Sequence, residues 1–163
     1  MSKDWNGNKK SIYVTLGASN HVEEERQEDD FYATDPKALD ILLCEGGVVL
    51  KSPVLEPACG NGILSEKLKE YGYDVISRDL IDRGYGETGV DFLTDNRKHN
   101  GTILTNPPYK YAQQFVEHAL DIIEDGDDVY MFLKLQFLEG KVRRQLFDTR
   151  QFKEVFFLFL QAD

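Results

Sequence analysis

Residues 52–68, Ser52-Pro53-Val54-Leu55-Glu56-Pro57-Ala58-Cys59-Gly60-Asn61-Gly62-Ile63-Leu64-Ser65-Glu66-Lys67-Leu68, decide the fold. Residues 52–57 read as a short buried strand, and Gly60-Asn61-Gly62 supplies the conformational freedom for a tight turn. Beyond the turn, Ile63, Leu64, Leu68 and Tyr71 recur at the spacing of one helix face. Strand, glycine turn and helix in one run open a parallel β-α-β unit.

The pattern repeats on both sides. Upstream, Asp35-Pro36 pairs an N-cap residue with a proline in the first turn. The helix it starts carries Ala38, Leu39, Leu42 and Leu43 and stops at Gly46-Gly47. Downstream, residues 73–80 form a strand ending near Asp79, and 88–92 a short third strand. Residues 102–105 form a fourth that runs into Asn106-Pro107-Pro108-Tyr109. The helix after it holds Phe115, Val116, Ala119, Leu120 and Ile123 on one face. A fifth strand at 129–133, a helix at 141–147 and a sixth strand at 155–160 complete the series. Strands alternating with amphipathic helices predict an α/β, doubly wound, mainly parallel sheet covered on both faces. Residues 31–163 are expected to form this single core. Residues 1–30, with acidic clusters at 23–25 and 28–30, are expected to be a flexible arm in which 12–16 can form a short extended segment.

Composition narrows the function. With 41% hydrophobic and 29% charged residues the 163-residue chain is of globular type. No apolar stretch approaches the length of a membrane span and no apolar segment follows the first basic residues, so a cytoplasmic protein without a membrane partner is expected. Cys44 and Cys59 sit in apolar segments without ligand spacing and are expected to be buried thiols. His21, His99 and His118 are scattered, and no metal site is expected; His118 is placed on the polar side of its helix, in solvent. The net charge of −10 excludes a strong electrostatic clamp on duplex DNA. The basic pairs Lys9-Lys10, Arg97-Lys98 and Arg143-Arg144 favour solvated surface over phosphate contacts.

In open α/β sheets ligands bind beyond the carboxyl ends of the strands, and three such ends carry chemistry. The first is Glu56-Pro57-Ala58-Cys59-Gly60-Asn61-Gly62. Its spacing is not that of a dinucleotide binder; Glu56 disfavours a diphosphate and suits an ammonium group. The second is Asp79, at the distance from the glycine turn where a carboxylate can accept ribose hydroxyls. The third is Asn106-Pro107-Pro108-Tyr109. Two prolines hold an extended turn whose carbonyls point outward, an asparagine oxygen and a rigid carbonyl can accept both protons of a planar NH₂ group, and a tyrosine ring can stack on a flat base.

On these residues the chain resembles the S-adenosylmethionine-dependent amino methyltransferases, and within them the bacterial and phage DNA adenine-N6 enzymes. The similarity covers about residues 31–160. It implies that Asn106, Pro107, Pro108 and Tyr109 are catalytic. It further implies that S-adenosylmethionine is held by Glu56, Pro57, Ala58, Gly60 and Gly62, by Asp79 at the ribose, by Asp91 and Phe92 at the adenine, and by Asn106. Phe31-Tyr32-Ala33-Thr34-Asp35-Pro36 is similar to a segment that closes over the methionine end, which brings in Tyr32 and Thr34. The motif order is that of the group whose recognition region is C-terminal. Such a region, and the seventh strand that precedes it, are expected but not present before Asp163. The resemblance therefore implies a truncated core, with a homodimer or a partner segment completing the sheet at the sixth strand. DNA is the substrate it implies. A protein glutamine or an RNA base amine is the alternative acceptor, and a non-catalytic cofactor-binding remnant acting as an interaction protein is the other reading.

Overall fold

A computed structural model describes residues 34–139, 141–149 and 154–155. The expected arm over 1–30, Tyr32 and, apart from Val155, the expected sixth strand lie outside them. Helix α1 (Pro36–Asp40) starts as expected, with Asp35 Oδ1 accepting from the Lys37 amide at 2.9 Å. It continues not as an α-helix but as a π-helical turn, Ile41–Glu45, in which Gly46 N donates to Ile41 O at 2.8 Å. The wider turn keeps Leu39 and Leu42 in the core but shifts the phase of the residues after them. Cys44 consequently faces outward, 3.3 Å from the Tyr71 hydroxyl, which corrects the expectation of a buried thiol. Cys59 is buried.

The sheet contains β1 (Val54–Glu56), β2 (Val75–Asp79), β3 (Glu87–Thr88), β4 (Thr102–Thr105) and β5 (Val129–Met131), all parallel and ordered β3-β2-β1-β4-β5. Helices α2 (Ile63–Glu70), α3 (Ala112–Ile122) and α4 (Lys141–Thr149) follow β1, β4 and β5. The doubly wound α/β class read from the sequence is the one the chain adopts. Successive strand residues face opposite layers. Val54 and Leu104 pack with Leu39, Leu42, Leu64 and Leu68 of α1 and α2, while Leu55 and Ile103 pack with Phe92, Phe115, Ala119 and Ile122 on the α3 side. A third cluster, Ala112, Phe137 and Leu146, seats α4 against α3.

Three expectations need correction. The third strand shrinks to two residues: Gly89 turns the chain at φ +74°, and Asp91 caps a 3-10 turn, Phe92–Thr94, by accepting from the Leu93 amide at 3.0 Å. In α2 the inward residues are Leu64, Ser65 and Leu68; Ile63 and Tyr71 are 36% and 39% exposed. Tyr71 is the C-cap and bonds Asp40 Oδ1 at 2.5 Å, bracing α2 against α1. His118 is only partly solvated, since its ring stands edge-on to Phe92 at 5.0 Å and its Nε2 lies 3.0 Å from the Asp95 carbonyl oxygen.

The amino-terminal edge of the sheet is tied by polar contacts. Buried His99 places Nε2 at 3.1 Å from Pro53 O and 3.0 Å from Thr102 O. Asp127 accepts from Gly101 N at 2.6 Å and pairs with Lys51. Gly101 sits at φ +124°, and a Cβ there would lie 2.2 Å from the Pro53 carbonyl oxygen. Gly101→Ala is therefore expected to lower stability by about 1–3 kcal/mol, read as a fall in the urea midpoint.

Candidate active site

Strand order reverses between β1 and β4, so their carboxyl ends flank the crevice where an open sheet binds ligands. The glycine turn leaves β1 on one side and Asn106-Pro107-Pro108-Tyr109 leaves β4 on the other, with Asp79 ending β2 next door. All three chemically informative strand ends are thus neighbours.

Gly60 and Gly62 adopt φ of +57° and +83°, a region that a side chain would strain. The turn is closed by Gly62 N donating to Cys59 O at 2.8 Å and is hung on β2 by Cys59 N donating to Arg78 O at 2.9 Å. Asp79 completes the tie: Oδ2 accepts from Gly60 N at 2.7 Å and Oδ1 from Ile81 N at 2.8 Å. Each oxygen retains a second lone-pair direction, so a ligand hydroxyl can add to these bonds. Val90 N donates to Asp79 O at 3.0 Å, which brings Asp91 and Phe92 to the same edge. Asp91 is exposed, whereas Phe92 is buried against Phe115 with ring centroids 4.9 Å apart.

Glu56 is 2% exposed and points into the layer of α2, where Ser65 Oγ donates to it and lies 2.6 Å from Ser77 Oγ. Burial pushes its carboxyl up to about 8, against the hydrogen bond from Ser65 that favours the charged form. Ser65 and Ser77 had no functional reading in the sequence. The available signal is a small polar residue at the inward position beside Leu64 and Leu68, which implies a polar partner inside. Burial, with Glu56 and Asp79 nearby, also pushes the Cys59 thiol up to about 12, so it is no nucleophile at neutral pH.

Tyr85, also unassigned by sequence, lays its ring on the turn: a Cβ at Gly62 would lie 2.5 Å from it. Its hydroxyl meets Lys69 Nζ at 2.8 Å and donates to Glu66. Pro36 of α1 reaches the same turn and lines, with Asn61, Gly62 and Glu66, an open groove of about 380 Å³. Thr34, two residues before it, is half-buried.

Beyond β4, Pro107 is buried and Asn106, Pro108 and Tyr109 are half-buried. The Pro108 carbonyl accepts from Tyr111 N at 2.9 Å within a 3-10 turn, Tyr109–Tyr111. Thr105, just before Asn106, is fully buried, and its Oγ1 is the only buried side-chain polar atom without a hydrogen-bond partner among the described residues. Lys134, after β5, holds its ammonium 3.8 Å from the Tyr109 ring centroid. Arg97, Lys98 and Arg144 are exposed as expected, although Arg97 also pairs with Asp95 and Glu87; Arg143 is half-buried and donates to the carbonyls of Gln136 and Glu139, and Lys9-Lys10 lies outside the described residues. Among the described residues no group of three or more metal-ligating side chains converges, and no helix is long and apolar enough to cross a membrane.

Because the Glu56 carboxyl is raised in the folded state, folding holds its proton more tightly than the unfolded chain does. Stability from this group is complete below the ordinary glutamate range and is lost as pH rises toward about 8. Urea unfolding at pH 5 and pH 8.5 is expected to show a larger loss in the parent than in Glu56→Gln.

No family model matches the chain. Over 118 residues, 72% of its length, it is 26% identical to the ubiquinone biosynthesis O-methyltransferase of Photorhabdus laumondii, and it spans 45% of that protein. Among solved structures it is similar to Thermoplasma acidophilum 1320, with a TM-score of 0.50, 19% identity, and coverage of 71% of this chain and 67% of that one. TehB from Haemophilus influenzae aligns with a TM-score of 0.47 and 15% identity over 72% of this chain and 51% of its own. The match to the Thermoplasma structure concerns architecture, and with the strand order it identifies the chain as a mainly parallel, Rossmann-like α/β domain.

Proposed function

We propose that this chain binds S-adenosylmethionine at the β1/β4 crevice and transfers its methyl group to the exocyclic N6 amine of adenine in DNA. The observation that carries the reading is the adjacency of the glycine turn, Asp79 and Asn106-Pro107-Pro108-Tyr109 at the point where strand order reverses. The relative named as an O-methyltransferase, spanned to 45%, supports methyl transfer in general.

The residues fit this cofactor. The turn has no Cβ at Gly60 or Gly62 to obstruct a close approach and Asp79 offers acceptors for ribose hydroxyls, whereas Glu56, expected at the ammonium end, turns its side chain into the α2 layer toward Ser65. Asp91 and Phe92 border the adenine, with Thr34 at the methionine end; Tyr32 lies outside the described residues. When bound, S-adenosylmethionine supplies a methyl group on a cationic sulfur, which leaves with the electron pair of the carbon–sulfur bond.

The chain's part is positioning. The side-chain oxygen of Asn106 and the carbonyl of Pro107 accept the two amine protons, since the Pro108 carbonyl is used by Tyr111. This draws the nitrogen lone pair out of the ring and aims it at the methyl carbon. Tyr109 stacks on a base rotated out of the helix. The surplus proton passes to water, so no strong base is required. A hydroxyl acceptor has more need of one, yet His99 lies at the opposite sheet edge and His118 is held at Asp95. The net charge of −10 favours, as second reading, the side-chain amide of a protein glutamine, which presents the same NH₂ group.

Labelled cofactor is to be offered with adenine-containing DNA, RNA and protein glutamine acceptors. Label is expected on DNA N6, with Asn106→Ala lowering the rate at saturating cofactor at least 100-fold (about 3 kcal/mol). Transfer to another acceptor overturns the DNA assignment, and cofactor binding without transfer to any of them supports a remnant. Separately, Asp79→Ala is expected to weaken cofactor binding by about 1–3 kcal/mol in calorimetric titration.

A further inference from the structure

We infer that Lys134 is a substrate-side residue that alternates between the Tyr109 ring and a backbone phosphate of the bound strand, holding the stacking face until an adenine takes it. The inference rests on the nucleic-acid reading of the site and adds a contact which that reading does not contain.

The geometry is direct. Lys134 Nζ lies 3.8 Å from the centroid of Tyr109, close enough to occupy one face of the ring at van der Waals distance. A planar base stacks at a similar separation, so ammonium and base exclude one another from that face. Lys134 is exposed and follows β5, on the solvent side of the motif, so the face it covers is one that solvent, and therefore a base, can reach. A single cation–π contact contributes less than the stacking of a base on the same aromatic ring. The exchange therefore runs in favour of the base, and the lysine stem is long enough to swing its charge aside rather than lose it.

The displaced ammonium has an evident destination. A nucleotide whose base lies on Tyr109 brings its own phosphates to the same rim. Lys134 is exposed at that rim and stands over the Tyr109 ring itself. Lys110 adds a further cation beside the motif, 5.5 Å from the ring centroid of exposed Tyr111. Two exposed cations, Lys134 and Lys110, beside the motif of a chain with a net charge of −10 suit transient contact with one strand, and differ from a clamp along a duplex.

Such an exchange has a signature that a merely structural lysine lacks, because removing the charge acts in opposite directions on two ligands. Lys134→Met keeps the length of the side chain and removes the ammonium. With S-adenosylhomocysteine bound, free adenosine, which carries no phosphate, is expected to bind Lys134→Met as tightly as the parent or up to about threefold more tightly, since its competitor for the ring is gone. A single-stranded adenine-containing oligonucleotide is expected to bind it about 5- to 10-fold more weakly at low salt, with the slope of log K against log salt reduced by about one. Lys134→Arg should restore most of the oligonucleotide affinity, and equal melting temperatures establish that the variants are folded. Parallel weakening for both ligands would mean that Lys134 only props Tyr109, and an unchanged oligonucleotide slope would mean that it never meets phosphate; either result overturns the inference and leaves the proposed reaction standing. A parent that binds S-adenosylhomocysteine but no oligonucleotide overturns the nucleic-acid reading and this inference with it.

Discussion

The carboxylate of Asp79 accepts the amides of Gly60 and Ile81, at 2.7 and 2.8 Å, and those two bonds hold the working edge of the sheet together. The side chain is buried, and an ion in that position is costly unless its lone pairs are occupied. Two backbone donors occupy one lone pair on each oxygen. They lock the turn after β1 to the end of β2, and the Asp79 carbonyl in turn receives Val90. Segments after β1 and β2 that are apart in sequence are therefore tied to one carboxylate.

The two edges of the sheet are built on different principles. At the amino-terminal edge buried polar groups close on one another: His99 lies against two carbonyls, and Asp127 joins Gly101 and Lys51. At the carboxyl-terminal edge Glu56 is kept inside at a protonation cost, Thr105 Oγ1 has no partner, and glycines take conformations closed to other residues. Polar groups held at a disadvantage in the folded protein are what an interaction site needs, and the tied edge supplies the stability that offsets them.

Periodicity made the frame legible. The strand at 102–105 and the helix bearing Phe115 and Ala119 have a single period each, and both formed where expected. Boundaries slipped where a side chain competed with the pattern: Asp91 capped its own turn and cut the third strand short, and the π turn after Asp40 carried Cys44 outward. At the site, sequence located the strand ends because glycines and prolines announce turns, while the order that makes them neighbours follows from tertiary pairing. Ser65 offered only the hint of a small polar residue at an inward helix position, and Ser77, Tyr85 and Lys134 gave no local signal. Each acquires its place from a residue at least nine positions away, through contacts that no window of periodicity samples.

The ring of Tyr85 against Gly62 ties the history of two positions to one another. A Cβ at position 62 and an aromatic ring at position 85 claim the same volume, 2.5 Å apart. Substituting a small residue for Tyr85 would clear that volume but also release Lys69 and Glu66, and would leave the φ of +83° still adverse to any side chain. Neither position can therefore drift alone, and a lineage that enlarged the turn would have to rebuild the loop over residues 80–86 and the outer face of α2 at the same time. The turn is thus guarded twice, once by its backbone and once by its cover.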